Sequence, residues 1–434
     1  MKSNLLQNIN QKLDRLKSSE FASQISILAS GNILTQSLVI LSSPILTRLY
    51  EPADFARFTI FTTFATTLIP VISGRYNIAL LVVDDNKESN KLTSLAIILT
   101  TLNSLILFFA LFFFLENLVN ILNISAIKEL LLLSPVLMFS TGILIILNNY
   151  LNRFKNYKLL SNALILQALT TTILSIALGL TGTISNGLII GSLFGPIISV
   201  FYILLRKKMM RFNLSFLGRF NLVHLALKYR NFPLYSLPQS TLGSITASLP
   251  IFFLTKYYPE SIVGYYALST KITTAGLGVL SKAIAQVHIR KVAEQIHSKQ
   301  DPSQYIIKLT IVLGLIVTVP TLLVIFKAKY LIVNIFGEKW EIAANILVIL
   351  IPSIVVQFIV STLSGIFSST GQLRLAVIWQ TIAFLSTLLM FIYCSPRLSS
   401  YELFEAMVIT DVILYLAYYC LIYYAIKNPL PIQR

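Results

Sequence analysis

Charged residues are scarce in this sequence of 434 residues. Only 12% of the residues are Asp, Glu, Lys or Arg, whereas 56% are hydrophobic. An average soluble domain contains about 25% charged and about 45–50% apolar residues. So small a charged fraction cannot provide the polar surface that a soluble protein of this length needs, and the mean hydropathy of +0.77 agrees. The composition excludes a soluble enzyme and predicts an integral membrane protein.

Cysteine and histidine are also rare. The two cysteines, Cys394 and Cys420, provide neither a disulfide framework nor a CxxC metal site. The three histidines, His224, His288 and His297, lack the spacing of metal ligands. The sequence has no glycine-rich phosphate loop followed by Lys-Ser or Lys-Thr, so direct use of ATP is not predicted. We therefore predict no metal and no cofactor.

Long apolar runs are what the sequence does contain. A helix needs about 20 mainly apolar residues to cross about 30 Å of hydrocarbon. Unbroken runs such as residues 105–109 lack the alternation of a membrane barrel, so the spans are predicted to be helices. Twelve spans are predicted, at residues 23–47, 56–75, 92–115, 129–151, 159–180, 187–205, 233–255, 263–286, 304–326, 343–367, 374–394 and 402–426.

The cations set the predicted orientation. The net charge is +17, and cytoplasmic loops of membrane proteins are enriched in Lys and Arg. Seven cations lie between the sixth and seventh spans: Arg206, Lys207, Lys208, Arg211, Arg219, Lys228 and Arg230. We predict that this segment and both termini are cytoplasmic, and that the positive charge anchors the protein in the membrane instead of binding nucleic acid.

The predicted domain organisation follows from these spans. The first 20 residues show helical spacing of leucines between cations, which is typical of a helix on a membrane surface and not of a cleaved signal peptide. The predicted segments are a cytoplasmic amphipathic N-terminus at 1–20, an N-lobe at 21–205, a basic cytoplasmic linker at 206–232, a C-lobe at 233–426 and a cytoplasmic tail at 427–434.

The two halves share a short repeat. The first span ends in Pro44-Ile45 followed by the run from Thr47 to Pro52, and the seventh ends in Pro250-Ile251 followed by the run from Thr255 to Pro259. Each copy contains Thr, a cation, a pair of residues with at least one aromatic, and a proline-bearing turn. Because each half has six spans, both insert in the same sense, as in parallel repeats with a substrate path between them. The repeat predicts a transporter with two six-helix lobes.

Several of these residues also carry a resemblance. The run Pro44–Phe55 and the pair Arg75-Tyr76 before Ile78-Ala79-Leu80 resemble motifs of bacterial polysaccharide repeat-unit flippases of the Wzx type. The blocks Tyr229–Pro233 and Gly264–Leu268 are similar to later motifs of that family, and the length and span number match along nearly the whole chain. The sequence departs from the family at Ala56, where Gly is usual, and at Asn77, where an acid is common.

The resemblance implies a fold, a substrate and partners. The superfamily also contains multidrug exporters and the lipid II flippase, which are V-shaped, two-lobed and work by alternating access. The implied substrate is an undecaprenyl-diphosphate-linked oligosaccharide, moved from the cytoplasmic to the outer leaflet of the bacterial plasma (inner) membrane. The implied pathway is surface polysaccharide assembly, such as O-antigen of lipopolysaccharide or capsule. Membrane lipids are implied contacts, and a polysaccharide polymerase and a chain-length regulator are candidate partners.

Such a substrate needs cations within the spans, where they are costly. A Lys or Arg at the centre of a bilayer costs about 2.5–3.5 kcal/mol on insertion scales. Lys271 lies about eight residues into its span, and Lys282 returns to nearly the same helix face eleven residues later. We predict that both line the path of the diphosphate, with contact to lipid headgroups as the alternative for each, stronger for Lys282.

Three further cations lie at the ends of spans. Arg48 and Lys256 are related by the repeat, and each is a candidate either for product handling or for headgroup contact. Arg75 is a candidate for meeting the incoming diphosphate, with positive-inside anchoring as the alternative.

Uncharged polar groups and one acid complete the candidate site. The amides of Asn32, Gln36 and Gln239 are predicted to bind sugar hydroxyls, although polar residues also join helices to one another. Asp411 shares a helix side with Tyr415. It is a candidate for ion coupling, or else a partner for a cation in the same lobe.

Other functions are less consistent with the sequence. A drug or small-molecule exporter of the same superfamily remains the main alternative. A general 6+6 carrier is disfavoured because the loop at residues 83–91 lacks its Gly- and Arg-rich signature. A polysaccharide polymerase or glycosyltransferase usually needs a large outer loop or a catalytic acidic motif, and the outer loops here are short. We predict a transporter and not an enzyme.

Overall fold

A computed structural model describes residues 2–83, 85–182, 186–206, 219–298 and 300–429. Within these ranges the regular structure is helical. The helices are α1 (Lys2–Leu49), α2 (Pro52–Thr67), α3 (Ile69–Ile72), α4 (Tyr76–Ala79), α5 (Asn86–Leu122), α6 (Lys128–Leu131), α7 (Ser134–Arg153), α8 (Tyr157–Leu180), α9 (Gly187–Leu205), α10 (Arg219–Lys228), α11 (Leu237–Tyr257), α12 (Glu260–His297), α13 (Ser303–Phe336), α14 (Glu341–Leu363), α15 (Ile366–Ser369), α16 (Leu373–Cys394) and α17 (Ser400–Lys427).

These helices account for the predicted spans. Among the described residues, ten helices are long and apolar enough to cross a membrane. The two remaining predicted spans correspond to α11 and α12, which are long enough but more polar, because they carry Ser, Thr, Gln and Lys. Side chains on the outside of the long helices are apolar, such as Phe112 and Phe113 on α5 and Phe326 on α13. The prediction of an all-helical, multi-pass membrane protein is confirmed.

Helix ends follow local signals. Ser399 and Glu402 form a reciprocal capping box at the start of α17. Asp301 accepts hydrogen bonds from the backbone and hydroxyl of Ser303 at the start of α13, and Lys427 donates to its other oxygen at 2.6 Å. The Lys427 ammonium and the Ser303 groups hold the pKa of Asp301 below its usual range.

The contacts divide the described chain into two compact units that are not continuous in sequence. The first contains residues 1–42, 68–113 and 132–237, and the second contains 43–67, 114–131 and 238–434. The end of α1, all of α2 and the segment around α6 therefore belong with the C-terminal helices. The lobe boundaries at 21–205 and 233–426 remain a prediction.

The structure describes only parts of the predicted N-terminal segment, linker and tail. Helix α1 runs without interruption from Lys2 to Leu49, so the predicted segment 1–20 and the first span share one helix. The side chains of the first 25 residues lie outside the described part, and so do residues 207–218 of the linker and 430–434 of the tail.

In the first unit, small residues allow two helices to pack closely. Helix α9 carries Gly191, Gly195 and Ser199 four residues apart, which places them on one face. A Cβ on either glycine would collide with α8, at Ser175 or Thr171. The Ser199 hydroxyl donates to a backbone carbonyl of α8 at 2.8 Å. Close backbone approach at such small residues is the usual way in which membrane helices associate.

In the second unit, α2 packs closely on α12. Gly264 of α12 lies against the backbone of Pro52, so that a Cβ on Gly264 would collide with the Pro52 carbonyl. Beside this contact, the Arg57 Nε atom lies 3.2 Å from Glu260 Oε1. Trp340 precedes α14, is fully buried, and donates its indole N–H to the Thr47 carbonyl at 2.9 Å.

Rings of both helices contact Trp340. Phe55 of α2 meets it edge-on with ring centroids 4.9 Å apart, and Tyr265 of α12 does so at 6.0 Å. We call Phe55, Tyr265 and Trp340 the Trp340 cluster. The cluster fixes the beginning of α2 to the beginning of α12 and to α14.

Candidate functional site

The second unit contains a cavity of about 840 Å³. Six helices line it: α2, α11, α12, α14, α16 and α17. Pockets of about 300–1,000 Å³ typically bind ligands of drug size. The lining is mixed, since hydroxyl, amide and charged groups alternate with aromatic rings and methionines. Its polar members are Thr59, Thr63, Thr246, Tyr266, Thr270, Lys271, Thr274, Gln357, Ser361, Ser364, Trp379, Gln380, Thr387, Asp411, Tyr415 and Tyr418.

Lys271 is the cation of this cavity. It is half-buried on α12, between Thr270 and Thr274, which line the cavity too. Both threonine hydroxyls donate to backbone carbonyls one turn earlier, so their remaining lone pairs can accept from a ligand. Among the described residues, no carboxylate lies within the 4.0 Å of an ion pair with Lys271. The ammonium therefore has donors available for an anion.

Asp411 is the acid of the same cavity. It lies on α17, half-buried, and lines the cavity together with Tyr266 and Tyr415. In the part of the chain that the structure describes, Asp411 has no Lys, Arg or His within 4.0 Å. The cavity thus holds one cation and one anion that are not paired with each other.

Aromatic side chains form the wall between α16 and α17. The Trp379 ring stacks on Tyr418 with centroids 3.9 Å apart and lies 5.8 Å from the Tyr415 ring. The indole N–H donates to the Leu414 carbonyl at 3.3 Å, which fixes the orientation of the ring. Next to it, Gln380 extends towards Gly243 of α11. We call Trp379, Gln380, Tyr415 and Tyr418 the Trp379 wall.

Sequence reasoning did not identify Trp379 and Gln380. The signal for them was available, because a Trp-Gln pair stands at the sixth and seventh positions of the mainly apolar span 374–394. Trp usually lies near the membrane interfaces, and an amide within a span needs a polar partner or an aqueous cavity. The sequence does place Tyr415 of this wall on the same side of its helix as Asp411.

The predicted cations at helix ends lie elsewhere. Arg48 is exposed at the end of α1 and donates to the Asn334 carbonyl at 3.2 Å. Lys256 is exposed at the end of α11, 5.5 Å from the Tyr257 ring centroid. Arg75 lies in the first unit, half-buried and at a positive φ of 64°, and its Nε donates to Ser236 at 3.3 Å. Among the described residues, none of the three lines the cavity.

The predicted amides are also outside the cavity lining as described. Asn32 is exposed and Gln36 half-buried on α1 in the first unit. Gln239 is half-buried near the start of α11. The side chain of Lys282 lies outside the described part, although Gly278 on the same helix has open space beside it. These assignments remain predictions.

The structure describes the surroundings of both positions at which the sequence departs from the family pattern. Asn77, where an acid is common, is buried and accepts a hydrogen bond from Ser73 at 2.9 Å, while Asn149 donates to its carbonyl. Ala56 is fully buried in α2.

Among the described residues, no group of three His, Cys, Asp or Glu side chains could hold a metal ion.

Comparison with known proteins adds a family and a fold. The profile of a family described as "Polysaccharide biosynthesis protein" matches residues 45–345, which is more than half of the chain. No curated protein matches the sequence.

Solved structures match along most of the chain. The lipid II flippase MurJ in an inward closed conformation superposes with a TM-score of 0.72 at 16% identity, covering 90% of this chain and 86% of MurJ. An inward-facing multidrug resistance MATE transporter of the MOP superfamily gives 0.68 at 16% identity, covering 90% and 94%. A MOP superfamily transporter from Pyrococcus furiosus gives 0.61 at 14% identity, covering 93% and 95%. These likenesses show that the chain has the fold of this superfamily.

Proposed function

The chain belongs to the polysaccharide biosynthesis protein family, and on that premise we propose that it is a lipid-linked oligosaccharide flippase. Its substrate is an undecaprenyl-diphosphate-linked repeat unit, which it moves from the cytoplasmic to the outer leaflet of the bacterial inner membrane. The glycan serves the assembly of a surface polysaccharide such as O-antigen or capsule. The protein is a transporter and carries out no covalent chemistry.

One observation carries this proposal: Lys271 and Asp411 line the same cavity without an ion-pair partner among the described residues. An uncompensated charge within membrane helices is costly, so it is retained where it faces water or a ligand. A lysine ammonium presents three N–H donors, and charge-assisted hydrogen bonds to phosphate oxygens are among the strongest in proteins. Lys271 is therefore the group that binds the diphosphate.

Movement between the leaflets follows from the fold. The structural relatives include transporters described in inward-facing and outward-facing conformations, and we propose the same alternating access here. The apolar tail of the carrier stays in the lipid, while the diphosphate and sugars pass through the polar cavity. Both termini and the basic segment 206–232 face the cytoplasm in this proposal, as the distribution of Lys and Arg predicts.

Asp411 is proposed to couple transport to an ion gradient. A carboxyl that faces a cavity inside the membrane can release and bind a proton, or bind a cation, as the cavity opens to either side. Proton coupling predicts that transport by the wild type depends on pH and that Asp411→Asn removes this dependence. A pH profile unchanged in Asp411→Asn would contradict the role of Asp411.

The function is tested in two systems. In proteoliposomes containing a fluorescent undecaprenyl-diphosphate-linked oligosaccharide, the purified protein should expose the glycan to an external lectin or glycosidase. In cells, deletion of the gene should trap lipid-linked repeat units on the cytoplasmic leaflet and remove the surface glycan. Normal surface glycan without a trapped intermediate would refute the proposal.

A second function is export of small molecules. It is favoured by the likeness to a MATE transporter and by the methionines, Met390 and Met407, that line the same cavity. Met side chains adapt to varied apolar ligands. Drug accumulation in deletion and overexpressing strains separates the two functions, because a flippase alters glycan export and leaves drug accumulation unchanged.

A further inference from the structure

The helices that line the cavity of the second unit contribute two chemically different groups of residues. Lys271 and its threonines belong to α12, whereas Trp379, Gln380, Tyr415 and Asp411 belong to α16 and α17. The α12 side offers positive charge and hydroxyl groups. The residues on α16 and α17 offer aromatic rings, an amide and a carboxylate, which together do not suit a phosphate.

These residue types do suit a sugar. A pyranose ring has an apolar face of C–H groups, which packs on an aromatic ring, and an edge of hydroxyls that both donate and accept hydrogen bonds. Gln offers one acceptor and two donors, and an ionised Asp accepts at two oxygens, so both can bind adjacent hydroxyls. The Trp379 indole is half-buried and stacks on Tyr418, so its orientation is set before a ligand arrives.

We infer that the Trp379 wall, together with Asp411 and Gln357, is a monosaccharide subsite that binds the sugar nearest the diphosphate. Gln357 of α14 is exposed to the same cavity and adds a second amide. A volume of about 840 Å³ accommodates the head of a lipid-linked glycan and not a whole oligosaccharide. This inference rests on the proposed function, because the sugar is taken to be part of the lipid-linked substrate.

The subsite gives the protein a means of selecting its glycan. Lys271 binds a diphosphate, which every such carrier lipid has in common. The amides and the aromatic ring contact hydroxyls whose number and orientation differ between sugars. A site built to hydrogen-bond a hydroxyl rejects a ligand that lacks it, because its own polar groups are then left unpaired. Selectivity for the first sugar is therefore assigned to the Trp379 wall.

The two tryptophans of the chain allow a direct test by fluorescence. In a Trp340→Phe background, Trp379 is the only tryptophan, and in Trp379→Phe the only one is Trp340, which is buried outside the cavity lining. The purified proteins are titrated with a panel of free hexoses and N-acetylhexosamines, and with farnesyl diphosphate as a sugar-free probe. At least one sugar should change Trp379 emission saturably and leave Trp340 emission unchanged.

A second variant tests the hydrogen bonds. Gln380→Leu keeps the approximate shape and removes the amide, and the apparent affinity for the responding sugar should fall about tenfold. The apparent affinity for farnesyl diphosphate should be the same in Gln380→Leu as in the parent protein. In Lys271→Ala it should be lower than in the parent protein. If Trp340→Phe does not fold, the wild type and Trp379→Phe are compared instead, and the difference reports Trp379.

The outcomes separate this inference from the proposed function. Translocation of lipid-linked glycan by the wild type, with Trp379 unresponsive to every sugar and transport unaffected in Gln380→Leu, would overturn the sugar subsite and leave the flippase in place. A saturable sugar response of Trp379 without any glycan translocation would support the subsite and refute the flippase.

Discussion

Helices α2 and α12 are the two copies of one element in the predicted repeat, and both line the cavity. Each begins at a proline, Pro52 for α2 and the N-cap Pro259 for α12. Helix α2 ends after 16 residues, shortly before Pro70, whereas α12 continues for 38 residues. The two copies of the predicted repeat thus begin alike and form helices of very different length.

The two helices also differ in the side chains that they place at the cavity. At the cavity, α2 provides the neutral hydroxyls of Thr59 and Thr63, while α12 provides Lys271. Twelve residues after its proline, α2 has Phe64 where α12 has Lys271. Five residues after it, α2 has Arg57 where α12 has Gly264. A repeat can therefore duplicate the scaffold while only one copy places a charge in the cavity.

The largest effect is expected from removing that charge. Lys271→Ala should abolish glycan translocation in proteoliposomes at unchanged expression, because the diphosphate loses its cation. Lys256→Ala removes an equal charge from the exposed end of α11 and should transport normally. A normal rate in Lys271→Ala would refute the role of Lys271.

A transfer of the cation to the other copy sharpens this test. The double variant Phe64→Lys, Lys271→Phe keeps the composition but should not restore transport, because Phe64 is not part of the cavity lining in the described chain. Restored transport would mean that the two copies are interchangeable.

The next largest effect concerns the Trp340 cluster, which joins the two helices. Replacing a buried Trp by Ala costs about 3–5 kcal/mol in soluble proteins, and Trp340→Ala should lower the free energy of unfolding by a similar amount. Thermal unfolding in detergent measures the change. Trp340→Phe keeps a ring but loses the hydrogen bond to Thr47, so its effect should be smaller. Equal unfolding temperatures for Trp340→Ala and the wild type would contradict the packing.

Substitution of Gly264 should destabilise the protein more than substitution of Arg57, which stands at the corresponding position of α2. Gly264→Ala introduces a Cβ against the Pro52 carbonyl, which requires a shift between α2 and α12 and should cost about 1–3 kcal/mol. Gly243→Ala is the matched control, since the nearest atom to its Cβ would be 3.6 Å away. Equal free energies of unfolding for Gly264→Ala and Gly243→Ala would mean that α12 does not pack tightly against α2.

The smallest effect is expected from the ion pair. Arg57 and Glu260 are partly exposed, at 26% and 33% of their side chains, and exposed ion pairs typically contribute about 0–1 kcal/mol. Arg57→Ala and Glu260→Ala should each lower the unfolding temperature slightly. The double variant should lower it by no more than the sum of the two single decreases. A loss as large as that of Trp340→Ala would mean that the pair, and not the cluster, holds α2 to α12.

Some site residues could be predicted from the sequence because their signals are local. Lys271 and Asp411 stand out as charges within apolar spans, whatever their neighbours are. Trp379 and Gln380 carry a weaker signal, since a lone Trp-Gln pair in a span also suits helix packing. Arg48 and Lys256 show the limit of such reasoning, because a cation at a helix end has the same sequence pattern whether it contacts a ligand, a carbonyl or a ring.

The sequence by itself determined that this is an all-helical membrane protein, and which segments of the chain are apolar enough to span the membrane. That result needs only the length and composition of each span, because a backbone in hydrocarbon must satisfy its hydrogen bonds within the helix. Only the tertiary structure decided that Lys271, Trp379 and Asp411, on three different helices, share one cavity. Side-chain neighbours across helices depend on how ridges and small residues fit together, and Gly264 against Pro52 illustrates a contact that no span composition reveals.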